Sequence, residues 1–211
     1  MAQPFTMLDA IAAPLDAENV DTDQILPARF LKKPRELGYG SYLFHDQRFD
    51  DCGKEISGFV LNRPAFRDAP IIVANHNFGC GSSREGAAYA LYDYGVRCVV
   101  APSFSDIFYR NCLRNGIVPV RLASDVCARM RTELVSQPGQ HLVVDLGRQQ
   151  VCDWHGSAYT FAIDPFHREL LLHGVDEIEL TLSMLPAVAA FERDYYRIAP
   201  WSLPHDNSDQ S

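Results

Sequence analysis

The chain has 211 residues, of which 47% are hydrophobic and 22% charged, and this composition argues against a disordered protein. Its 27 acidic and 19 basic side chains give a formal net charge of −8, which excludes a nucleic-acid phosphate binder as the first hypothesis. No apolar run approaches the roughly 18 residues that span a bilayer, and the N-terminus lacks the apolar segment of a secretory signal. We therefore expect a cytoplasmic protein with neither membrane nor nucleic-acid partners. We expect one domain over residues 1–199 and a disordered polar tail over residues 200–211.

The first quarter of the chain combines one strand with long irregular segments. Residues 5–15 are mostly apolar and predict an opening β-strand. Proline and glycine are frequent over residues 27–43, which predicts a long loop with at most a short helix, and a second irregular stretch follows at 44–58. Long loops in compact domains often carry function, so residues 27–43 are of particular interest.

The middle of the chain alternates between strands and helices. Short apolar runs at residues 71–74, 97–101 and 117–121 predict buried strands. The segments between them, residues 84–94 and 103–115, predict helices that are each followed by a glycine. Strands and helices that alternate with short connections indicate right-handed βαβ units and a parallel sheet.

After residue 140 the pattern changes to consecutive strands. Residues 141–146, 149–154 and 158–163 predict an antiparallel meander, and two helices are predicted at 165–172 and 186–197. The fold class that follows is α/β, with a short parallel βαβ core and a β-rich edge.

The six cysteines do not form a metal-binding pattern. The smallest separation between two of them, Cys98 and Cys112, is 14 positions, and no C-x-x-C pair exists. The seven histidines are scattered and form no H-x-x-x-H or H-E-x-x-H pair. We therefore expect no metal site in this chain, and we expect most of the cysteines to be buried, unreactive thiols in a reducing compartment.

The segment 77–86 (NFGCGSSREG) has the composition of a small-anion site. It follows a predicted strand and opens a predicted helix, whose unpaired backbone N–H groups favour an anion. Glycines let the backbone bend tightly and approach a ligand closely, and an arginine suits a carboxylate. The candidate residues are the backbone of Gly79 and Gly81 with the side chains of Ser82, Ser83 and Arg84.

A purely structural interpretation of the same segment is a capping box. Ser82 would cap the following helix, and Glu85, three positions later, would reach back to it. Residues 103–106 (SFSD) also resemble a helix cap, but neither glycines nor an arginine accompany them, so we interpret them as a plain N-cap.

A second candidate is the acidic loop that contains Asp21 and Asp23. One hypothesis is a turn in which an aspartate bonds to nearby backbone, followed by a solvated basic loop. The functional hypothesis is a carboxylate that orients a catalytic histidine, possibly of another chain.

Three ordered motifs resemble one known family. Residues 19–31 (NVDTDQILPARFL), 77–85 (NFGCGSSRE) and 101–108 (APSFSDIF) resemble motifs of the small subunits of 3-isopropylmalate dehydratase. The resemblance covers roughly residues 8–195. It implies an aconitase-like swivelling domain of β/β/α architecture.

The resemblance also implies a reaction and a partner. The family consists of aconitase-type hydro-lyases in which a [4Fe–4S] cluster sits on a large subunit and the small subunit closes the active site. The chain would then bind no cluster by itself. With the large subunit it would interconvert 2-isopropylmalate and 3-isopropylmalate, small dicarboxylates of leucine biosynthesis.

Carried over residue by residue, the resemblance assigns roles to the candidate residues. Ser82 would be the catalytic base, and Ser83 and Arg84 would hold a substrate carboxylate. Asp23 matches a carboxylate that pairs with a histidine of the large subunit. Arg84 and nearby backbone N–H groups are the chemistry that a serine alkoxide needs.

Two departures from the family pattern bear on the substrate. The family usually has histidine where Gly86 stands, and a glycine there is expected to open space beside the site. The loop at 32–37 also differs, and within this region Leu31 and Arg35 are the predicted substrate contacts. Two alternatives therefore stay open, a related hydro-lyase acting on 2,3-dimethylmalate or homoaconitate and a non-catalytic anion-binding module.

Overall fold

The computed structural model describes residues 3–82 and 84–202, and the strands in this part of the chain form one mixed sheet of seven. The spatial order is β4-β3-β2-β1-β5-β6-β7. The strands are β1 (Met7–Pro14), β2 (Ile71–Val73), β3 (Cys98–Ala101), β4 (Val118–Arg121), β5 (His141–Asp145), β6 (Gln150–Cys152) and β7 (Ala158–Thr160).

One strand, β1, joins the parallel and antiparallel parts of the sheet. Its second part pairs in parallel with β2, with Ala12 opposite Ile71. Its first part pairs in antiparallel fashion with β5, with Ile11 opposite His141. The strands β2, β3 and β4 continue the parallel part, and β5, β6 and β7 form the meander. The predicted parallel core and β-rich edge are both confirmed.

Helices and short 3-10 turns connect these strands. The predicted helices at 84–94 and 103–115 are confirmed, but each begins two or three residues later than expected. Two further helices, α5 and α7, were not predicted. The helices are α1 (Thr22–Ile25), α2 (His45–Arg48), α3 (Gly86–Tyr94), α4 (Asp106–Arg114), α5 (Ser124–Ser136), α6 (Pro165–His173), α7 (Glu177–Ser183) and α8 (Leu185–Ile198).

The long loop predicted over residues 27–43 is confirmed. It contains only short 3-10 turns, at Ala28–Lys32, Arg35–Leu37 and Gly40–Tyr42. The next stretch, 44–58, is irregular apart from α2. Proline at positions 27 and 34 restricts the backbone at the start of two of the turns, in accordance with the breaker pattern.

The sheet separates two hydrophobic clusters. Successive side chains of a strand point to opposite faces, so Ile72 of β2 lies in one cluster while Ile71 and Val73 lie in the other. The first cluster includes residues of α3 and α4, and the second is covered by α5 through Cys127, Met130 and Leu134. Both faces of the parallel strands are thereby buried, as apolar runs without alternation predict.

The chain divides into two compact units, Met1–Gly174 and Val175–Ser211. The second unit contains α7 and α8, and Asp176 caps α7 in a capping box with Glu179. Part of the predicted disordered tail, Pro200–Ser202, forms a 3-10 turn, and residues 203–211 lie outside the described part of the chain. Within the described residues, no helix has both the length and the apolar character to cross a bilayer.

Candidate functional site

Two of the sequence motifs lie side by side although about 60 residues separate them. The backbone N–H of Gly79 donates to the carbonyl of Val20 at 2.7 Å, and the N–H of Thr22 donates to the carbonyl of Cys80 at 2.9 Å. Asp21 and Cys80 form an isolated parallel bridge. The fold therefore brings the acidic loop against the glycine loop, as the functional hypothesis required.

The third motif flanks the glycine loop on its other side. The N–H of Phe78 donates to the carbonyl of Ser103 at 3.1 Å, and the N–H of Ser105 donates back to the carbonyl of Phe78 at 3.2 Å. The hydroxyl of Ser103 accepts from the N–H of Asn77 at 2.8 Å. The interpretation of residues 103–106 as a plain cap is thus wrong for Ser103, because its hydroxyl holds the glycine loop while α4 begins only at Asp106.

Glycine is required at two positions of the loop. Gly79 and Gly81 have φ angles of +73° and +88°, which residues with a side chain rarely adopt. A Cβ atom on Gly79 would lie 2.1 Å from the ring of Phe108. Because the N–H groups of Gly79 and Cys80 already donate to Val20, Gly79 shapes the loop and its own N–H is engaged within the protein.

The capping box proposed for Ser82 and Glu85 is absent. Helix α3 begins at Gly86 with Glu85 as its N-cap residue and without a side-chain capping bond, and the Glu85 carboxylate accepts instead from Asn115 Nδ2 at 3.0 Å. A capping box does form in the other motif, where Asp21 accepts from the N–H of Gln24 at 2.7 Å. Asp21 therefore has the turn role that the structural hypothesis gave it.

The remaining polar side chains converge on Ser82. Arg84 forms an ion pair with Asp23, and the side chains of these two residues are 25% and 50% exposed. Thr22 is buried, and its hydroxyl donates to the backbone carbonyl of Ser82 at 2.9 Å. Ser82 itself is exposed to solvent, and Ser83 lies outside the described residues. The arrangement places a hydroxyl beside a cation on an open surface.

Arg35 and Leu31 are both near helix α3 but in different surroundings. The guanidinium of Arg35 donates to both carboxylate oxygens of Asp93, at 2.5 and 2.8 Å. Leu31 is 37% exposed, and its Cδ2 lies 2.6 Å from where a Cβ on residue 86 would stand. The expectation that Gly86 opens space beside the site is therefore wrong, because Leu31 fills that space.

Burial accounts for most of the thiols. Cys98 and Cys112 are fully buried, and desolvation raises the pKa of both. Burial likewise raises the pKa of Cys127 to about 11. Cys80 is half-buried in the loop, and desolvation followed by the charge of Asp21 raises its pKa. Among residues 3–82 and 84–202, no three histidine, cysteine or acidic side chains are grouped to hold a metal ion.

Sequence reasoning missed Thr22 and Asp93. Thr22 lies inside a quoted motif, so its position was available although its contact with Ser82 was not. Asp93 is 58 positions from Arg35, and no local pattern indicates that the two meet.

Comparison with known proteins places this geometry in a family. The family model described as the aconitase C-terminal domain matches residues 2–125. The 3-isopropylmalate dehydratase small subunit of Granulibacter bethesdensis is 50% identical over 197 residues, covering 93% of this chain and 94% of the relative. The protein of the same name from Brevibacillus brevis is 46% identical over 189 residues, covering 90% of this chain and 97% of the relative. The chain belongs to the 3-isopropylmalate dehydratase small-subunit family.

A solved structure agrees with this membership. The crystal structure of 3-isopropylmalate dehydratase from Methanocaldococcus jannaschii matches with a TM-score of 0.63 and 26% identity, covering 87% of this chain and 99% of that one. The predicted family resemblance and the aconitase-like fold class are both confirmed. Of the predicted site, the structure unites Asp23, Ser82 and Arg84, and it pairs Arg35 with Asp93 instead.

Proposed function

We propose that this chain is the small subunit of a 3-isopropylmalate dehydratase, a lyase of leucine biosynthesis that interconverts 2-isopropylmalate and 3-isopropylmalate. The observation that carries the proposal is the identity of 45–50% with small subunits of that name over 90–95% of the chain. The chain would act only in complex with a large subunit. Its cysteines are free thiols, which suits a reducing compartment such as the cytoplasm.

Ser82 is the proposed base. Its alkoxide would take the proton from the carbon next to the hydroxyl-bearing carbon, the electron pair of that C–H bond would form the double bond, and hydroxide would leave. Rehydration with the opposite regiochemistry then gives the isomer. A serine alkoxide needs a nearby positive charge, and the position of Arg84 in the next turn of chain supports this role.

The family's [4Fe–4S] cluster, when bound on the large subunit, would supply a Lewis acid for the departing hydroxyl. The described residues of this chain include no grouped set of metal ligands, so we assign the cluster to the partner on the family resemblance. What this chain contributes is the base, a cation for a substrate carboxylate and the walls around them.

Arg84 and Ser83 are the proposed ligands of a substrate carboxylate, and Leu31 is a proposed contact of the alkyl group. Asp23 is proposed to pair with a histidine of the large subunit. In the isolated chain Asp23 pairs with Arg84, so assembly would exchange one partner for another and free Arg84 to bind substrate.

A second candidate function is a related hydro-lyase acting on 2,3-dimethylmalate or homoaconitate. The packing of Leu31 against Gly86 favours keeping it open, because residues around this contact differ from the usual family pattern and adjoin the proposed site. The reaction class is the same for both candidates.

The test is turnover by the assembled enzyme. The chain is mixed anaerobically with its large subunit and a reconstituted cluster, and 2-isopropylmalate, 3-isopropylmalate and 2,3-dimethylmalate are supplied separately. We expect isopropylmalate turnover in the wild type and a loss of at least 10³-fold in Ser82→Ala, typical of removing a catalytic base, with unchanged assembly. Turnover of 2,3-dimethylmalate alone would select the second candidate. A formed complex that is silent on all three substrates would favour a non-catalytic module.

A further inference from the structure

One carboxylate holds the long loop onto helix α3. We call residues 28–42 the docking loop. The side chain of Asp93 is only 14% exposed, and it accepts two hydrogen bonds from Arg35, at 2.5 and 2.8 Å. It also accepts the backbone N–H of Tyr39 at 2.7 Å. Asp93 thus satisfies one side chain and one backbone group of the loop, both 54 or more positions away.

The fit between the docking loop and α3 is close. A Cβ on Gly40 would lie 2.7 Å from backbone atoms of Asp93, so only glycine allows this approach. The guanidinium of Arg35 also lies 4.5 Å from the ring centre of Tyr89, on the same helix. The Tyr39 hydroxyl donates to the Lys33 carbonyl at 3.0 Å, which ties the loop to itself.

The other end of the docking loop reaches the first turn of α3. There Leu31 lies against Gly86, two positions after Arg84 of the candidate site. The loop is therefore attached to α3 near both ends of the helix, by an apolar contact at the start and by Asp93 near the end. Releasing the Asp93 end would free Leu31 to move relative to Arg84.

We propose that Asp93 is a positioning residue that fixes the docking loop, so that Leu31 forms a wall of defined position for the alkyl group of the substrate. This inference rests on the proposed function and deepens it. Arg35 then acts by holding the loop, and its charge is neutralised by Asp93 rather than offered to a substrate carboxylate.

The kinetic test uses the complete complex with 3-isopropylmalate and 3-methylmalate. For Asp93→Asn we expect the KM for 3-isopropylmalate to rise about tenfold while kcat stays within about twofold, because alkyl-group binding is lost and Ser82 is untouched. The preference for isopropyl over methyl should fall by a similar factor. Arg35→Gln should match it, and the double variant should be no worse than either single variant, because both remove the same contact.

Glu169→Gln is the matched control. Glu169 forms an exposed ion pair with His173 on α6, and its loss should leave both substrates unchanged. Two outcomes would overturn the proposal. One is a loss of 100-fold or more in Arg35→Gln with a near-normal Asp93→Asn, which would make Arg35 a direct substrate ligand. The other is an equal fall in kcat for both substrates with unchanged KM, which would indicate general structural damage.

A second measurement needs no activity. The docking loop contains the trypsin sites Arg29 and Lys32, and a docked loop resists cleavage. In the full-length chain alone, Asp93→Asn should speed cleavage after these residues about tenfold, because the open state becomes more populated. Equal rates in both proteins would reject the clamp. A wild-type complex inactive on isopropylmalate would instead reject the proposed function, while the cleavage rates still decide whether Asp93 holds the loop.

Discussion

Gly79 lies where the chain can accommodate no side chain. Its φ of +73° and the 2.1 Å separation between a Cβ there and the Phe108 ring act together. We expect Gly79→Ala to lower the free energy of unfolding by about 3 kcal/mol or more, since backbone strain and overpacking add. Gly53 is the control, because its φ is +75° and nothing lies within 4 Å of its Cβ position. In urea unfolding Gly53→Ala should cost only about 1 kcal/mol, and equal losses would show that Phe108 moves away freely.

Gly86 presents a different case, because its φ is ordinary for a helix and the nearest obstacle is the flexible end of Leu31. Alanine in a helix is favoured over glycine by up to about 1 kcal/mol, which offsets part of the displacement of Leu31. We expect Gly86→Ala to keep the free energy of unfolding within about 1 kcal/mol of the wild type. The preference between 3-isopropylmalate and 3-methylmalate should change.

Leu31→Ala provides the control for Gly86. With the leucine shortened, the added methyl group of Gly86→Ala meets open space, so the two substitutions should be strongly non-additive in substrate preference. Simple additivity would mean that Gly86 and Leu31 act independently and that their contact does not shape the site.

Asp46 gives the loop region a pH dependence. Its hydrogen bonds with Arg29 lower the pKa of the Asp46 carboxyl to about 2. A lowered pKa in the folded state means that ionised Asp46 stabilises the fold above the ordinary aspartate range, near pH 4, and that this contribution is lost as pH falls toward 2. In an NMR titration, Arg29→Gln should move the Asp46 midpoint upward. Arg148→Gln, which leaves Arg29 in place, should not, and a shift in both variants would assign the effect to net charge.

Helix α5 is held to the sheet by a buried arginine. Arg131 donates to the carbonyl of Ala74 at 2.9 Å and to Asp16 at 2.8 Å. We expect Arg131→Met to lower the free energy of unfolding by about 1–3 kcal/mol, because the buried carbonyl loses its donor. Asp16→Asn should cost less than about 1 kcal/mol, since the Asp16 side chain is 83% exposed. Urea midpoints measure both, and a reversed order would make the ion pair the main contribution.

Helix α5 also shows a pattern that was present in the sequence and was not used. Its buried positions Cys127, Met130, Arg131 and Leu134 follow the i, i+3, i+4, i+7 spacing of an amphipathic helix. A charged residue at one of these positions weakens the apolar pattern. For α3 and α4, in contrast, the following glycines marked the ends well, and the errors lie at the starts, where loop contacts replaced the expected caps.

Thiol reactivity tests the arrangement of the whole molecule. Cys52 is exposed, whereas Cys98, Cys112 and Cys127 are buried with raised pKa values. At pH 8 in the native state, a thiol reagent should label Cys52 first and leave these three unmodified until the protein unfolds, because the thiolate is the reactive form. Peptide mapping by mass spectrometry identifies the labelled sites. Labelling of Cys98 as fast as Cys52 would show that the sheet opens.

The sequence by itself determined the fold class and the identity of the main motifs. Apolar runs without alternation mark strands buried on both faces, and glycine at Gly79 and Gly81 marks backbone that other residues cannot adopt, so these features are local. The resemblance of three ordered motifs to one family also needs no coordinates, and the comparisons confirm it.

Only the tertiary structure decided which groups meet. The pairing of Asp23 with Arg84, the bond from Thr22 to Ser82 and the clamp of Arg35 by Asp93 each join residues 58 to 61 positions apart. Such contacts depend on how β1 and the following loop lie beside β2 and α3, and no local preference encodes them. Gly86 is the clearest example, since whether its missing side chain leaves a space or a contact depends on where Leu31, 55 positions earlier, comes to lie.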